Sequence, residues 1–192
     1  QATVNGVATL LGATGYTGEY GYELFFPAAH ATAMWNAILA AGKPEGILPC
    51  GLAARDSLRF EPCLPLYGHE IHARIDPISA RLSWAVSFKK GDFIGREALL
   101  KIKLEGPALR LVGFEMAERG VPRAEYPVAI NGQVVGIVTT GMKSPTSERF
   151  VGLAYVPAAS AALGSQIDIV IRDVPKKATV VKTPFYVAAY RR

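Results

Sequence analysis

Two carboxylates lie in a glycine-rich stretch near the start of the chain. The stretch covers residues 15–23 (GYTGEYGYE), and its acidic members are Glu19 and Glu23. It lacks the Lys-Ser/Thr pair of a phosphate loop, so a nucleotide-phosphate site is not predicted. Glu23 also belongs to the apolar run YELFF, where a carboxylate must be paired or bind a ligand. The residues alone leave a ligand site and a structural salt bridge equally open.

Charged and metal-ligating side chains recur at two further places. Arg55 and Arg59 are four residues apart with Asp56 between them, a pattern typical of an ion-pair set on a helix surface. His69 and His72 are three residues apart, not four as in the metalloprotease HExxH motif. No third ligand accompanies the histidines, so we expect no metal site.

The composition predicts a globular protein with many turns. Of 192 residues, 50% are hydrophobic and 19% are charged, which allows a sizeable core and excludes disorder. The 19 glycines and 13 prolines favour short strands over a helical bundle. The net charge of +5 is scattered and not interleaved with aromatic residues, so we expect no nucleic-acid partner. We expect no membrane association either, since no apolar run approaches the roughly 20 residues of a span.

Residues 1–105 have the pattern of an α+β segment. Trp35 and Trp84 are expected in its core, and Asp92 is a candidate N-cap. The predicted elements are strands at 3–12, 22–26 and 82–88 and helices at 27–42, 51–61 and 93–102. The resulting sheet has exposed edges, where unpaired backbone N–H and C=O groups are a liability because they can pair with another chain. We therefore expect that more chain precedes Gln1 or that another chain covers the sheet.

Residues 106–192 have the pattern of an all-β module. Asn131-Gly132 is the strongest hairpin signal in the chain. Short strands with frequent turns favour a small antiparallel β-barrel. The predicted strands lie at 109–116, 127–131, 134–140, 150–156, 166–172 and 178–187. We therefore predict two domains, at residues 1–105 and 106–192.

A series of short motifs runs in order through essentially all 192 residues. They are residues 15–23 (GYTGEYGYE), 51–61 (GLAARDSLRFE), 66–70 (LYGHE), 76–77 (DP), 82–86 (LSWAV), 92–99 (DFIGREAL), 132–145 (GQVVGIVTTGMKSP), 154–156 (AYV) and 184–186 (PFY). Together these motifs resemble the glycine cleavage T-protein family of aminomethyltransferases.

The resemblance implies both a fold and an activity. The family combines folate-binding α+β domains, arranged as a cloverleaf, with a C-terminal β-barrel. Its members transfer the aminomethyl carbon from the lipoyl arm of H-protein to tetrahydrofolate and release ammonia. They are about twice as long as this chain, which resembles their C-terminal half. We therefore expect H-protein and the N-terminal half of the same protein as partners, and no activity from this chain alone.

The resemblance also assigns roles to individual residues. Glu23 corresponds to the carboxylate that hydrogen-bonds the pterin ring, and Arg55 to an arginine that lines the same pocket. Tyr190 corresponds to the tyrosine near the C-terminus that touches the ligand. Glu19 and Tyr67 lie in matching motifs and are further candidates for folate binding. The family's catalytic aspartate lies upstream, so no catalytic residue is expected in this chain.

Two positions depart from the family pattern, and alternatives remain. Ala13 replaces an arginine before the glycine-rich motif, and Tyr20 replaces an aspartate that often follows its glutamate. The folate domain of a dimethylglycine or sarcosine oxidase or demethylase is one alternative, and a non-catalytic folate-binding module is another. Cys50 and Cys63 suit a reducing compartment, so we expect a bacterial cytoplasm or, in a eukaryote, the mitochondrial matrix.

Overall fold

The computed structural model describes residues 1–188, which form two compact units. The first unit contains Gln1–Arg59 together with Val187 and Ala188. The second unit contains Phe60–Tyr186. The domain boundary predicted after residue 105 stays a prediction. No helix among residues 1–188 has the length and apolar character needed to cross a bilayer.

The first unit contains a three-stranded antiparallel sheet. Its strands are β1 (Ala2–Val4), β2 (Val7–Gly12) and β3 (Glu23–Phe25), in the order β1-β2-β3. The single strand predicted over 3–12 is wrong, because a tight turn divides it into a hairpin. Asn5 and Gly6 have φ of 47° and 75°, which is the conformation that an Asn-Gly hairpin turn requires.

Two α-helices follow the sheet, close to the predicted positions. They are α1 (Ala31–Gly42), preceded by a 3₁₀ turn at Ala28–His30, and α2 (Leu52–Phe60), whose last residue belongs to the second unit. Met34 is buried in α1, but Trp35 is 53% exposed. The core position predicted for Trp35 is therefore wrong, since adjacent helix residues point in directions about 100° apart.

The second unit begins with an irregular segment. The strand predicted at 82–88 is wrong, because Ser83–Ala85 forms a 3₁₀ turn. The amide of Leu82 donates to the Pro77 carbonyl at 2.7 Å, so the backbone is bent instead of extended. Trp84, predicted in the core, is 82% exposed on this turn.

The helix α3 (Arg96–Glu105) begins later than the sequence predicts. Gly95 is its N-cap and has a φ of 85°, which a helical residue cannot adopt. The carboxylate of Asp92 instead accepts the neighbouring amide of Phe93 at 2.9 Å. Asp92 is thus not the N-cap.

Six antiparallel strands close into the predicted barrel. Its strand order is β4-β7-β6-β5-β8-β9, and this confirms the α+β fold class with a small barrel after the first segment. The hairpin predicted at Asn131-Gly132 joins β5 to β6. The strands are β4 (Leu109–Met116), β5 (Pro127–Ile130), β6 (Gln133–Lys143), β7 (Phe150–Pro157), β8 (Gln166–Ile171) and β9 (Val174–Val181).

The barrel core consists mainly of β-branched side chains, with phenylalanine, methionine and alanine among them. Phe114, Val128 and Ile169 are fully buried there. The last strand ends at Val181, earlier than the predicted residue 187. Beyond it, the amides of Phe185 and Tyr186 donate to the carbonyl of Glu61, each at 3.0 Å. These amides therefore do not extend the sheet.

Candidate functional site

Glu23 begins β3 and pairs with Gly12 of β2. Its side chain is exposed at the first position of the strand. The prediction that this carboxylate lies mid-strand among apolar side chains is therefore wrong. The Thr14 hydroxyl donates to its Oε2 at 2.5 Å. Within residues 1–188, no cation forms an ion pair with this carboxylate. One carboxylate oxygen is therefore held by the loop, and the other is open to a ligand.

Arg55 lies on the exposed side of α2. Its guanidinium carbon is 4.6 Å from the centroid of the Tyr16 ring, within the range of a cation–π interaction. The ion-pair set predicted on the helix surface is present only in part. Arg59 Nη2 lies 2.7 Å from Asp56 Oδ1, but Arg59 is fully buried, and Arg55 contacts the tyrosine instead. The stacking restricts the directions in which Arg55 can point.

A single loop connects these two side chains. Thr14, which contacts Glu23, and Tyr16, which contacts Arg55, are two residues apart in the chain. Sequence reasoning missed both as supporting residues. The available signal was the TGYTGE segment at residues 14–19, in which an aromatic ring and two threonine hydroxyls accompany the glycines.

The other predicted site residues have different positions. Glu19 is exposed in the same loop, and its amide donates to the hydroxyl of Thr17 at 3.3 Å. Tyr67 lies in the second unit, is 74% exposed and forms a β-bridge with Ile71. Tyr190 lies outside the described residues. The structure thus places Glu19, Glu23 and Arg55 in one unit and Tyr67 in the other.

A fully buried carboxylate follows Tyr67. Oε1 of Glu70 accepts hydrogen bonds from the hydroxyls of Thr139 at 2.8 Å and Thr140 at 2.6 Å. The Oε2 atom of Glu70 accepts a hydrogen bond from the amide of Leu66 at 3.0 Å. The main-chain carbonyl of Glu70 accepts a hydrogen bond from the Tyr155 hydroxyl at 2.7 Å. These bonds fasten the loop that carries Tyr67 to strands β6 and β7.

Glu61 is a second buried carboxylate, just after α2. Oε1 accepts the Ser144 hydroxyl at 2.5 Å and the Thr146 amide at 2.9 Å, and Oε2 accepts the Thr146 hydroxyl at 2.7 Å. The Glu61 carbonyl also accepts the amides of Phe185 and Tyr186. One residue therefore joins the segment after α2, the β6–β7 loop and the segment after β9.

Tyr155 and Asp76, both in the second unit, have shifted pKa values. Burial first, and then the charges of Glu70 and Asp76, raise the pKa of the Tyr155 hydroxyl above its usual value. Burial acts to raise the pKa of Asp76 as well. However, hydrogen bonds from the hydroxyl and amide of Ser79 and from the amide of Ile78 outweigh that effect and leave the pKa lowered.

Comparison with protein families identifies the chain. The profile described as "GCVT N-terminal domain" matches residues 1–90, and the profile "Glycine cleavage T-protein C-terminal barrel domain" matches residues 110–186. The chain belongs to the glycine cleavage T-protein family. The second match coincides with the six-stranded barrel, and the first contains Glu19, Glu23, Arg55 and Tyr67.

Curated relatives of this chain include bacterial proteins named aminomethyltransferase. It is 56% identical over 194 residues to the "Aminomethyltransferase" of Symbiobacterium thermophilum, which covers 100% of this chain and 52% of the relative. It is 51% identical to the "Aminomethyltransferase" of Herpetosiphon aurantiacus. That match covers 100% of this chain and 52% of the relative. The chain thus spans about half the length of the curated relatives it matches.

A solved T-protein has the same fold. The structure of "glycine cleavage system aminomethyltransferase T from Bartonella henselae" superposes with a TM-score of 0.85 at 34% identity. The match covers 92% of this chain and 49% of that one.

The described part of the chain contains no candidate metal centre. Among residues 1–188, no three His, Cys, Asp or Glu side chains are placed to hold an ion. His69 Nδ1 lies 3.1 Å from the Thr139 carbonyl, and His72 Nδ1 accepts the amide of Arg74 at 3.2 Å. Cys50 is exposed and Cys63 is partly buried.

Proposed function

We propose that this chain acts in a tetrahydrofolate-dependent aminomethyltransferase of the glycine cleavage system. The reaction moves a one-carbon unit from the aminomethyl-lipoyl arm of H-protein to tetrahydrofolate and releases ammonia. The names of the curated relatives and of the Bartonella henselae structure support this assignment. Since those relatives are bacterial, we place the reaction in a bacterial cytoplasm.

The observation that carries the proposal is the exposed carboxylate of Glu23, of which one oxygen is held by Thr14 and the other can accept a ligand. A pterin ring presents two parallel N–H donors along its aminopyrimidine edge, and a carboxylate can accept both in a charge-assisted, bidentate geometry. Thr14 occupies one lone pair of Oε2, and each carboxylate oxygen has two. The Glu23 carboxylate therefore keeps enough acceptor capacity for the ring while the loop fixes its orientation.

Arg55 supplies the second part of the folate contact. Its exposed guanidinium is held over Tyr16 and has no carboxylate partner among residues 1–188. It can therefore donate to polar atoms of the ligand. Both side chains bind and orient folate, and we assign no proton-transfer step to them.

Folate binding tests the proposal directly. Tetrahydrofolate is titrated calorimetrically into this chain and into a fusion that places the leading half of the Symbiobacterium thermophilum relative ahead of Gln1. Glu23→Gln should weaken binding about 5- to 150-fold, because a charged hydrogen bond worth roughly 1–3 kcal/mol is lost. Glu45→Gln, an equal charge change at an exposed position of the same unit, should leave the dissociation constant unchanged. Equal dissociation constants for wild type and Glu23→Gln would contradict the assignment of Glu23.

Turnover separates transfer from binding alone. The fusion should release ammonia from aminomethylated H-protein in the presence of tetrahydrofolate, and the isolated chain should release none. Ammonia release by the isolated chain would show that its own residues suffice for catalysis. Folate binding by the fusion without any ammonia release would favour a non-catalytic folate module.

A further inference from the structure

A cavity opens in the second unit where strands β4 and β9 separate. The two strands pair only between Gly113–Met116 and Ala178–Val181. Before Gly113 and after Val181 the chains diverge, and a cavity of about 420 Å³ lies between them. Its volume is in the range of small-molecule sites, roughly 300–1,000 Å³.

Among residues 1–188, the cationic side chains that line this cavity are Arg81, Arg110 and Lys182. Within the same described residues, no Asp or Glu lines the cavity, and none of the three cations forms an ion pair. Arg81 Nη1 donates to the Thr183 hydroxyl at 2.9 Å, which fixes one guanidinium at the cavity. Positive charges that line the same cavity repel each other, which is electrostatically unfavourable. A bound anion would offset this repulsion.

The rest of the lining is largely apolar. Leu111, Ala161 and Leu163 all contribute to it, and the Leu163 side chain is 67% exposed. A purely inorganic anion would leave this apolar wall in water. A ligand with an anionic head and an apolar body would use both parts of the lining.

We propose that this cavity binds a phosphate monoester whose alcohol part is apolar. The planar guanidinium groups of Arg81 and Arg110 match the geometry of phosphate oxygens, and Lys182 adds a third point charge. The body of the ligand packs against Leu163 and its apolar neighbours. The site lies wholly within the second unit and does not depend on the folate assignment.

Phenyl phosphate is the probe for this site, titrated into the 192-residue chain at low salt. It should bind more tightly than inorganic phosphate, because the ring covers the apolar wall, and more tightly than benzoate, which has a single negative charge. Binding should weaken as sodium chloride is added, since the contact is between charges. Benzoate binding as tight as phenyl phosphate would overturn the phosphate assignment in favour of a carboxylate.

Substitutions locate the contact. Arg110→Gln and Arg81→Gln should each weaken phenyl phosphate binding about tenfold, the equivalent of ~1.4 kcal/mol for one charged contact. Arg123→Gln makes the same charge change at an exposed arginine that does not line the cavity. This variant should bind phenyl phosphate as tightly as wild type. Leu163→Ser should weaken phenyl phosphate but not inorganic phosphate. Equal weakening by all three arginine variants would mean a diffuse charge effect and would overturn the site.

Amide chemical shifts of the unsubstituted chain provide a test that needs no variant. Phenyl phosphate should shift the amides of Val112, Leu163 and Lys182, which line the cavity. Shifts confined to other parts of the chain, or none at millimolar probe, would reject the site. Tetrahydrofolate binding should be the same in Arg110→Gln and wild type, so failure of this site and failure of the folate assignment can be distinguished.

Discussion

The guanidinium carbon of Arg55 lies 4.6 Å from the centroid of the Tyr16 ring. Arg55 belongs to α2 and Tyr16 to the glycine-rich loop, so this contact joins two motifs about 40 positions apart in the sequence. Two residues before Tyr16, the hydroxyl of Thr14 holds the Glu23 carboxylate. The loop thus orients both of the side chains that we assign to folate.

Tyr16→Leu should weaken tetrahydrofolate binding in the fusion protein about fivefold. The substitution removes a cation–π contact of roughly 1 kcal/mol, and Arg55 then has to be ordered by the ligand itself. Tyr22→Leu changes a 67% exposed tyrosine of the same segment and is the matched control. Calorimetric titration measures both. An equal loss in the two variants would mean that Tyr16 has no special role in holding Arg55.

Glu61→Gln should lower the free energy of unfolding by about 1–3 kcal/mol. An amide keeps only one acceptor oxygen, so one side of the buried network with Ser144 and Thr146 loses its partner. Urea denaturation measures the change. Glu118→Gln, which affects an exposed ion pair with Lys176, should cost less than about 1 kcal/mol. A Glu61 variant as stable as the Glu118 variant would show that the network adds no stability.

Gly113→Ala should destabilise the barrel by about 1–3 kcal/mol through overpacking. A Cβ at this position would lie 2.2 Å from Cγ2 of Thr183 and 3.2 Å from the Phe185 ring. Adding Thr183→Ser removes that methyl group and should restore part of the loss. Gly15→Ala, where no atom lies within 4 Å, is the control. Thermal unfolding compares the four proteins, and a Gly113 variant with wild-type stability would contradict this packing.

The stability of the protein should fall above about pH 10, the usual pKa of a tyrosine, with Tyr155 as one cause. Burial and the nearby Glu70 and Asp76 raise its pKa in the folded state. The unfolded chain therefore releases its proton at lower pH than the folded chain does. The contribution of Tyr155 to the free energy of unfolding is complete below the pKa of the unfolded chain. It is lost as the pH rises above that value.

Tyr155→Phe isolates this effect. The variant should be less stable at neutral pH, because the hydrogen bond to the Glu70 carbonyl is lost. Its stability should also fall less steeply between pH 10 and 11 than that of wild type. Tyr67→Phe, at an exposed tyrosine, should retain the wild-type slope. The measurement is urea denaturation across that pH range, and identical slopes for Tyr155→Phe and wild type would refute the role of Tyr155.

Local sequence signals determined much of the barrel. The Asn131-Gly132 turn and the alternation around it predict β5 and β6, because the turn type and the two-residue period of a strand depend only on neighbouring residues. The same dipeptide at Asn5-Gly6 makes the hairpin that the prediction of one strand overlooked. The motifs alone also predict Glu23 and Arg55 as folate-binding residues.

Tertiary structure alone decided which partners the key side chains have. The apolar run around Trp84 has a strand pattern, yet it bends because Leu82 donates to the Pro77 carbonyl. Glu61 and Glu70 meet hydroxyl donors about 70 to 85 residues away in the chain. A buried carboxylate is stable only with such donors, and their approach depends on how the whole barrel packs. Propensity and periodicity extend over a few residues, so they could predict the strands but not the contacts between distant segments.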